Sequence, residues 1–143
     1  DRVEQCRNGT NPTAICKVSS GWVVLGDVQF LEGYSLLLPD PVVSDLNTLD
    51  VPGRERYLSD MAFVGDALLS VTNSYRVNYE TLGNTEAALH THIFPRFMSE
   101  DPELRLGPAW FYDWSAAPVF EINRHRAIMD QIRSYLEQKG VVV

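Results

Sequence analysis

Basic residues are scarce in this chain of 143 residues: 12 Lys and Arg stand against 19 Asp and Glu, a formal net charge of −7. That balance excludes broad binding to a nucleic-acid backbone, which needs a field of the opposite sign. Any phosphate must be held locally, by imidazoles, backbone N–H groups and hydroxyls. Cysteine is scarcer still. Cys6 and Cys16 are too few for a disulfide framework and fit a cytoplasmic setting with two thiols. No apolar run approaches the ~20 residues of a membrane span, so no membrane is expected as a partner. The first residues lack a basic-then-apolar signal pattern. Internal repeats, low-complexity tracts and linkers are missing too. What remains is a single domain over residues 1–143, 45% hydrophobic and long enough for a real core.

Taken in order, residues 1–9 read as a short helix that Gly9 stops, with Asn11-Pro12 turning the chain. Thr13 to Val18 and Gly21 to Leu25 are β-branched or apolar and read as two strands around Ser19-Ser20-Gly21. Gly26-Asp27 is a turn, Tyr34 to Pro39 a further strand, and Asp45 to Leu49 a helical turn. Residues 54–74 carry the clearest helical period, with Leu58, Met61, Ala62, Gly65, Leu68, Leu69 and Thr72 as the expected buried stripe. Gly65 inside that stripe costs about 1 kcal/mol against Ala, which implies a close approach to the sheet. Arg76 to Leu82 is a strand. An acidic loop runs from Ser99 to Pro108, followed by the aromatic group Trp110, Phe111, Tyr112 and Trp114. Residues 120–139 form a last amphipathic helix, ended by Gly140, with His125 in its apolar stripe as a packing residue. Adjacent strands after a long helix give an α+β arrangement, an antiparallel sheet with helices on one face.

The chain is organised around Gly83-Asn84-Thr85-Glu86-Ala87-Ala88-Leu89-His90-Thr91-His92-Ile93-Phe94-Pro95-Arg96. Two of the three histidines stand here, two residues apart. Read as a strand, the run puts Glu86, Ala88, His90 and His92 on one face and Ala87, Leu89, Thr91 and Ile93 on the core side. Pro95, without an N–H, ends the ladder in this reading. Glu86 with the two histidines has the composition of a 2-His-1-carboxylate metal set. Glu86 lies four residues from His90, however, roughly 13 Å along an extended strand at ~3.3 Å per residue. No metal ligands and no cofactor are therefore assigned.

The wording Leu-Gly-Asn-Thr…Leu-His-x-His-Ile-Phe-Pro-Arg resembles the histidine triad (HIT) family motif, His-x-His-x-His with apolar spacers. His90 and His92 take the second and third places, and Ala88 falls where the first histidine would be. Gly33-Tyr34-Ser35-Leu36-Leu37-Leu38-Pro39 looks like the family's Pro-Gly-His-x-Leu-Val-x-Pro strand, with Glu32 in place of the Pro. Val42 occupies the position of a helix histidine found in many members. The resemblance covers roughly residues 20–97. It implies a five-stranded antiparallel sheet with a long central helix and a C-terminal helix, and nucleotide chemistry that needs no metal. A nucleotide or dinucleoside polyphosphate is the implied partner. The implied activity is that of an adenylyl-type hydrolase or transferase, and the alternative is a module that binds a nucleotide without turning it over.

The same resemblance implies roles. His90 is the nucleophile and His92 a donor to a non-bridging phosphoryl oxygen. Gly83, Asn84 and Thr85 approach the α-phosphate with backbone and hydroxyl. Asn78 is either a phosphate-facing amide or a plain strand amide. Asp27 either accepts from the ribose hydroxyls or belongs to an ordinary turn. Trp110 and Trp114 are read as core or interface in preference to a base-stacking platform. An edge strand and an aromatic surface point to a homodimer.

Overall fold

A long helix rides on one face of a five-stranded sheet, and His90 and His92 stand on the other. The computed structural model describes all 143 residues. Strands β1 (Ala14–Val18), β2 (Gly21–Leu25), β3 (Ser35–Pro39), β4 (Arg76–Glu80) and β5 (Thr91–Arg96) pair antiparallel throughout, in the order β1-β2-β3-β5-β4. Helices α1 (Arg2–Arg7), α2 (Val51–Val71), α3 (Pro102–Arg105) and α4 (Ile122–Gln138) complete the α+β fold expected from the sequence.

Helix α2 starts three residues before the expected boundary. The Asp50 carboxylate accepts from Gly53 N at 2.8 Å, and Pro52 is preorganised for the first turn. Its buried face is also rotated from the expected stripe. Tyr57, Asp60, Val64, Gly65, Ala67 and Leu68 are buried, whereas Leu58, Ala62 and Leu69 are exposed. Two polar residues belong to the inner face because their polar atoms are satisfied there. The Tyr57 hydroxyl bonds Thr91 Oγ1 at 2.7 Å and donates to Leu37 O at 3.3 Å. The Asp60 carboxylate accepts from Ser20 N, Ser20 Oγ and Ser19 Oγ at 3.0, 2.7 and 3.2 Å, fastening the β1–β2 turn to the helix. Gly65 does allow a close approach: a Cβ there would stand 1.9 Å from the Tyr79 hydroxyl of β4.

The core lies between the sheet and helices α2 and α4. Val23, Leu25, Leu37 and Ile93 meet Val64, Leu68, Ile132 and Leu136 there, all fully buried. Each such side chain contributes about 1.5–3 kcal/mol by leaving water. His125 sits in this stripe as expected, stacked on Phe120 with Nδ1 against the Glu121 backbone. Gly140, at φ +73°, ends α4.

The histidine run is a shorter strand than its sequence suggests. Residues 83–90 are irregular, and the ladder begins only at Thr91. Gly83 turns the chain at φ +83°, and Leu89 N donates to Val43 O at 2.8 Å, outside the sheet. Pro95, expected to end the pairing, lies inside β5 opposite Val77. The β3 ladder stops at Ser35↔Ile93, so the proline's missing N–H falls on a flank that has no strand to serve.

Candidate functional site

Strand register builds the site. Val24 of β2, Leu36 of β3, His92 of β5 and Glu80 of β4 are successive cross-strand partners, so they form one row on the face away from α2. Above the row opens a cavity of about 780 Å³, a size that suits a small organic ligand. Val24, Leu36 and Leu38 give it an apolar floor. Asp1, Arg2, Val3 and Gln5 of the N-terminal segment form one side, and Glu86, Ala88 and His90 another. Asp27, Tyr34, His92 and Trp114 also reach it.

The two imidazoles stand edge to face, with ring centroids 4.9 Å apart. His90 precedes the strand, and its Nδ1 lies 2.7 Å from Ala88 O. A carbonyl can only accept, so Nδ1 carries the proton and Nε2 keeps its lone pair. His92 is half-buried, with Nδ1 2.6 Å from the Tyr34 hydroxyl and its ring parallel to Phe94 at 5.8 Å. Burial, and secondarily the neighbouring His90, push the His92 pKa down to about 4. His92 is therefore neutral at pH 7.

An aromatic wall closes the same face. Trp110 stands edge-on to His92 at 4.8 Å and stacks on Trp114 at 4.6 Å, while Tyr34 stacks on the buried Phe94 at 4.3 Å. The Trp pair belongs neither to the main core nor wholly to the surface: Trp114 lines the cavity. Phe111, between them, is exposed. The segment is fastened by Arg96, the last residue of β5, whose side chain is almost wholly buried. Its guanidinium donates to Asn78 Oδ1 and Gly107 O at 2.7 Å, to Leu104 O at 2.9 Å, and to the buried Glu100 carboxylate at 2.9–3.2 Å.

The residues singled out in the sequence therefore divide. His90, His92 and Asp27 come together around the cavity, as do Ala88 and Val42, two of the positions where a histidine of the resembled motifs is missing. Asn78 does not: it lies outside the cavity, where its Oδ1 accepts from Arg96. Gly83, Asn84 and Thr85 lie in the loop before the histidines and do not line the cavity either. Their place follows from the shortened strand, which leaves residues 83–90 outside the ladder. No three His, Cys, Asp or Glu side chains converge in a metal-holding cluster. Arg2 is a cavity residue that no local pattern reveals, whereas Glu86 stands on the cavity side with His90 as strand alternation expects. Tyr34 is legible in the sequence as part of the Gly33–Pro39 strand motif, but its contact with His92, 58 residues away, is not.

No protein-family model matches the sequence, and no curated protein is significantly similar to it. Solved structures are similar in fold. A histidine triad (HIT) protein from Sinorhizobium meliloti superposes with a TM-score of 0.76 at 21% identity, covering 86% of this chain and 88% of that one. A hypothetical histidine triad nucleotide-binding protein from Sulfolobus tokodaii gives 0.74 at 13% identity, over 95% and 91%. A diadenosine triphosphate hydrolase from Plasmodium falciparum gives 0.56 at 16% identity, over 90% and 79%. The fold of this chain is the histidine-triad fold. No helix in it is long and apolar enough to cross a membrane.

Proposed function

We propose that the cavity binds a nucleotide and that His90 takes up its nucleotidyl group. The observation that carries this is the His90 Nδ1 contact with Ala88 O at 2.7 Å, which leaves Nε2 as a bare nucleophilic nitrogen in the wall of the cavity. Nε2 attacks the α-phosphorus, and the bond from phosphorus to the leaving group breaks with its electron pair going to that group. Water then attacks the phosphorus of the nucleotidyl-imidazole, loses a proton, and releases the nucleoside monophosphate, restoring His90. His92 steadies a non-bridging oxygen during both steps. The fold shared with the diadenosine triphosphate hydrolase supports a dinucleoside polyphosphate as one substrate.

A non-catalytic binding module is the second reading. It is favoured by Ala88 and Val42, which present methyl groups to the cavity where the family motif carries imidazoles. Incubation with a panel of nucleotides, followed by acid-free quench and mass spectrometry, separates the two. The enzyme reading expects a monophosphate product and a nucleotidyl adduct on His90, both lost in His90→Ala and both unaffected by EDTA. Nucleotide bound without any product establishes the module instead.

Assembly into a homodimer is part of the same proposal, supported by β4, whose outer flank has no strand, and by exposed Tyr79 and Leu82 beside it. Light scattering at micromolar concentration is expected to give twice 16.2 kDa, and a monomer alone overturns it.

A further inference from the structure

Tyr34 enters the site from the turn before β3 and has almost no freedom there. Gly33, at φ +105°, sets the turn, and Tyr34 N donates to Leu31 O at 2.9 Å while its carbonyl accepts from Gly26 N at 2.8 Å. The ring is 3% exposed, clamped between Phe94 at 4.3 Å and Gly26, where a Cβ would stand only 2.4 Å from the ring. A side chain so held can offer its hydroxyl in one direction only. The sole hydrogen-bond partner it meets is His92 Nδ1, at 2.6 Å.

We propose that Tyr34 is a positioning residue whose hydroxyl donates to His92 Nδ1 and holds His92 as the Nε2–H tautomer, opposite to the tautomer of His90. The direction follows from accounting for protons. The phenol has one hydrogen, and no other acceptor of the protein lies within its reach. Were His92 Nδ1 the donor, the phenolic hydrogen of this buried side chain would have no partner in the protein, which is costly. Burial, reinforced by the charges of Asp27 and Glu80, raises the Tyr34 pKa and keeps that hydrogen in place. A neutral His92 with Nδ1 accepting must carry its proton on Nε2. The two imidazoles, similar in sequence, are thereby made unlike in chemistry. The Ala88 carbonyl makes His90 Nε2 an acceptor and nucleophile, and the Tyr34 hydroxyl makes His92 Nε2 a donor. The consequence for rate rests on the nucleotidyl-transfer reading above; the tautomers themselves do not.

The test uses the full chain with 15N-labelled histidine and long-range 1H–15N correlation at neutral pH. Wild type is expected to show His90 protonated at Nδ1 and His92 protonated at Nε2. Tyr34→Phe, which keeps the ring, is expected to leave His90 unchanged and to shift His92 to a mixture of tautomers. His92 found as the Nδ1–H tautomer in wild type, or left unchanged by Tyr34→Phe, overturns the proposal whether or not the protein turns over any nucleotide. If a nucleotide is turned over, Tyr34→Phe is expected to lower kcat about tenfold, as for one hydrogen bond, with KM unchanged. A rise in KM at constant kcat would make Tyr34 a binding residue and would overturn its positioning role.

Discussion

Both terminal guanidinium nitrogens of Arg2 donate to the two oxygens of the Asp27 carboxylate at the rim of the cavity, 25 residues apart in the chain. Both side chains are about half exposed, so the pair adds only about 0–1 kcal/mol to stability. Its interest lies in what it does to Asp27. The carboxylate has lone pairs beyond those used by Arg2, and those can accept from a cis-diol. Asp27→Ala is expected to weaken ribonucleotide binding by about 1.5–3 kcal/mol, the value of hydrogen bonds to a charged group, while leaving a 2′-deoxynucleotide much less affected. Titration calorimetry with the matched pair of nucleotides decides it; equal losses for both would remove Asp27 from ribose recognition.

His92 links the site to stability through pH. Its pKa is about 4 in the folded protein against 6.5 for a free imidazole, so the unfolded chain binds a proton over the interval between them while the folded chain does not. Stability is therefore complete above pH 6.5 and declines as pH falls toward 4. The slope from this one group is at most about 1.4 kcal/mol per pH unit. Urea unfolding at several pH values is expected to show this slope in wild type and its loss in His92→Asn. An identical slope in the variant would place the acid sensitivity elsewhere.

Arg96 fastens the aromatic wall from a site with 1% side-chain exposure, paired with Glu100 at 5%. Removing one member of a buried, hydrogen-bonded ion pair costs about 3–5 kcal/mol, since the other charge stays buried without its partner. Arg96→Met is expected to destabilise the protein by that amount. It is also expected to red-shift tryptophan emission, because Trp110 and Trp114 lie in the segment that Arg96 holds. Thermal unfolding and fluorescence check the two effects independently. Stability within 1 kcal/mol of wild type would mean that the segment is held by its aromatic contacts alone.

Most elements were legible because their signals are local. The β1–β2 hairpin, the β3 strand and α4 all follow from alternation, helical period and a stopping glycine. The phase of α2 was not, since Tyr57 and Asp60 look like solvent residues until Thr91 and Ser20 supply their partners. The start of β5 lies later than the alternation implies, for a related reason. Residues 83–90 alternate like a strand, but Leu89 N finds its acceptor in Val43, which no local pattern announces. In the site, His90 and His92 were visible as a pair and Asp27 as a candidate. For Asn78 the sequence leaves a phosphate-facing amide and a plain strand amide open; in the fold its Oδ1 accepts from Arg96, a partner 18 residues away. Tyr34 and Arg2 act through partners 58 and 25 residues away, beyond the reach of any sequence window.

The pairing of Leu36 with His92 has a consequence for errors in folding. Side chains on a strand alternate, so a slip of one residue between β3 and β5 would turn Ile93 toward the cavity and press His92 against α2. The same slip would expose an isoleucine and bury an imidazole, and it would break the bond of Thr91 to Tyr57. A misregistered chain is thus penalised in its core at the moment it loses its histidine pair. The packing of the core and the placing of His92 on the cavity side are specified by one and the same register.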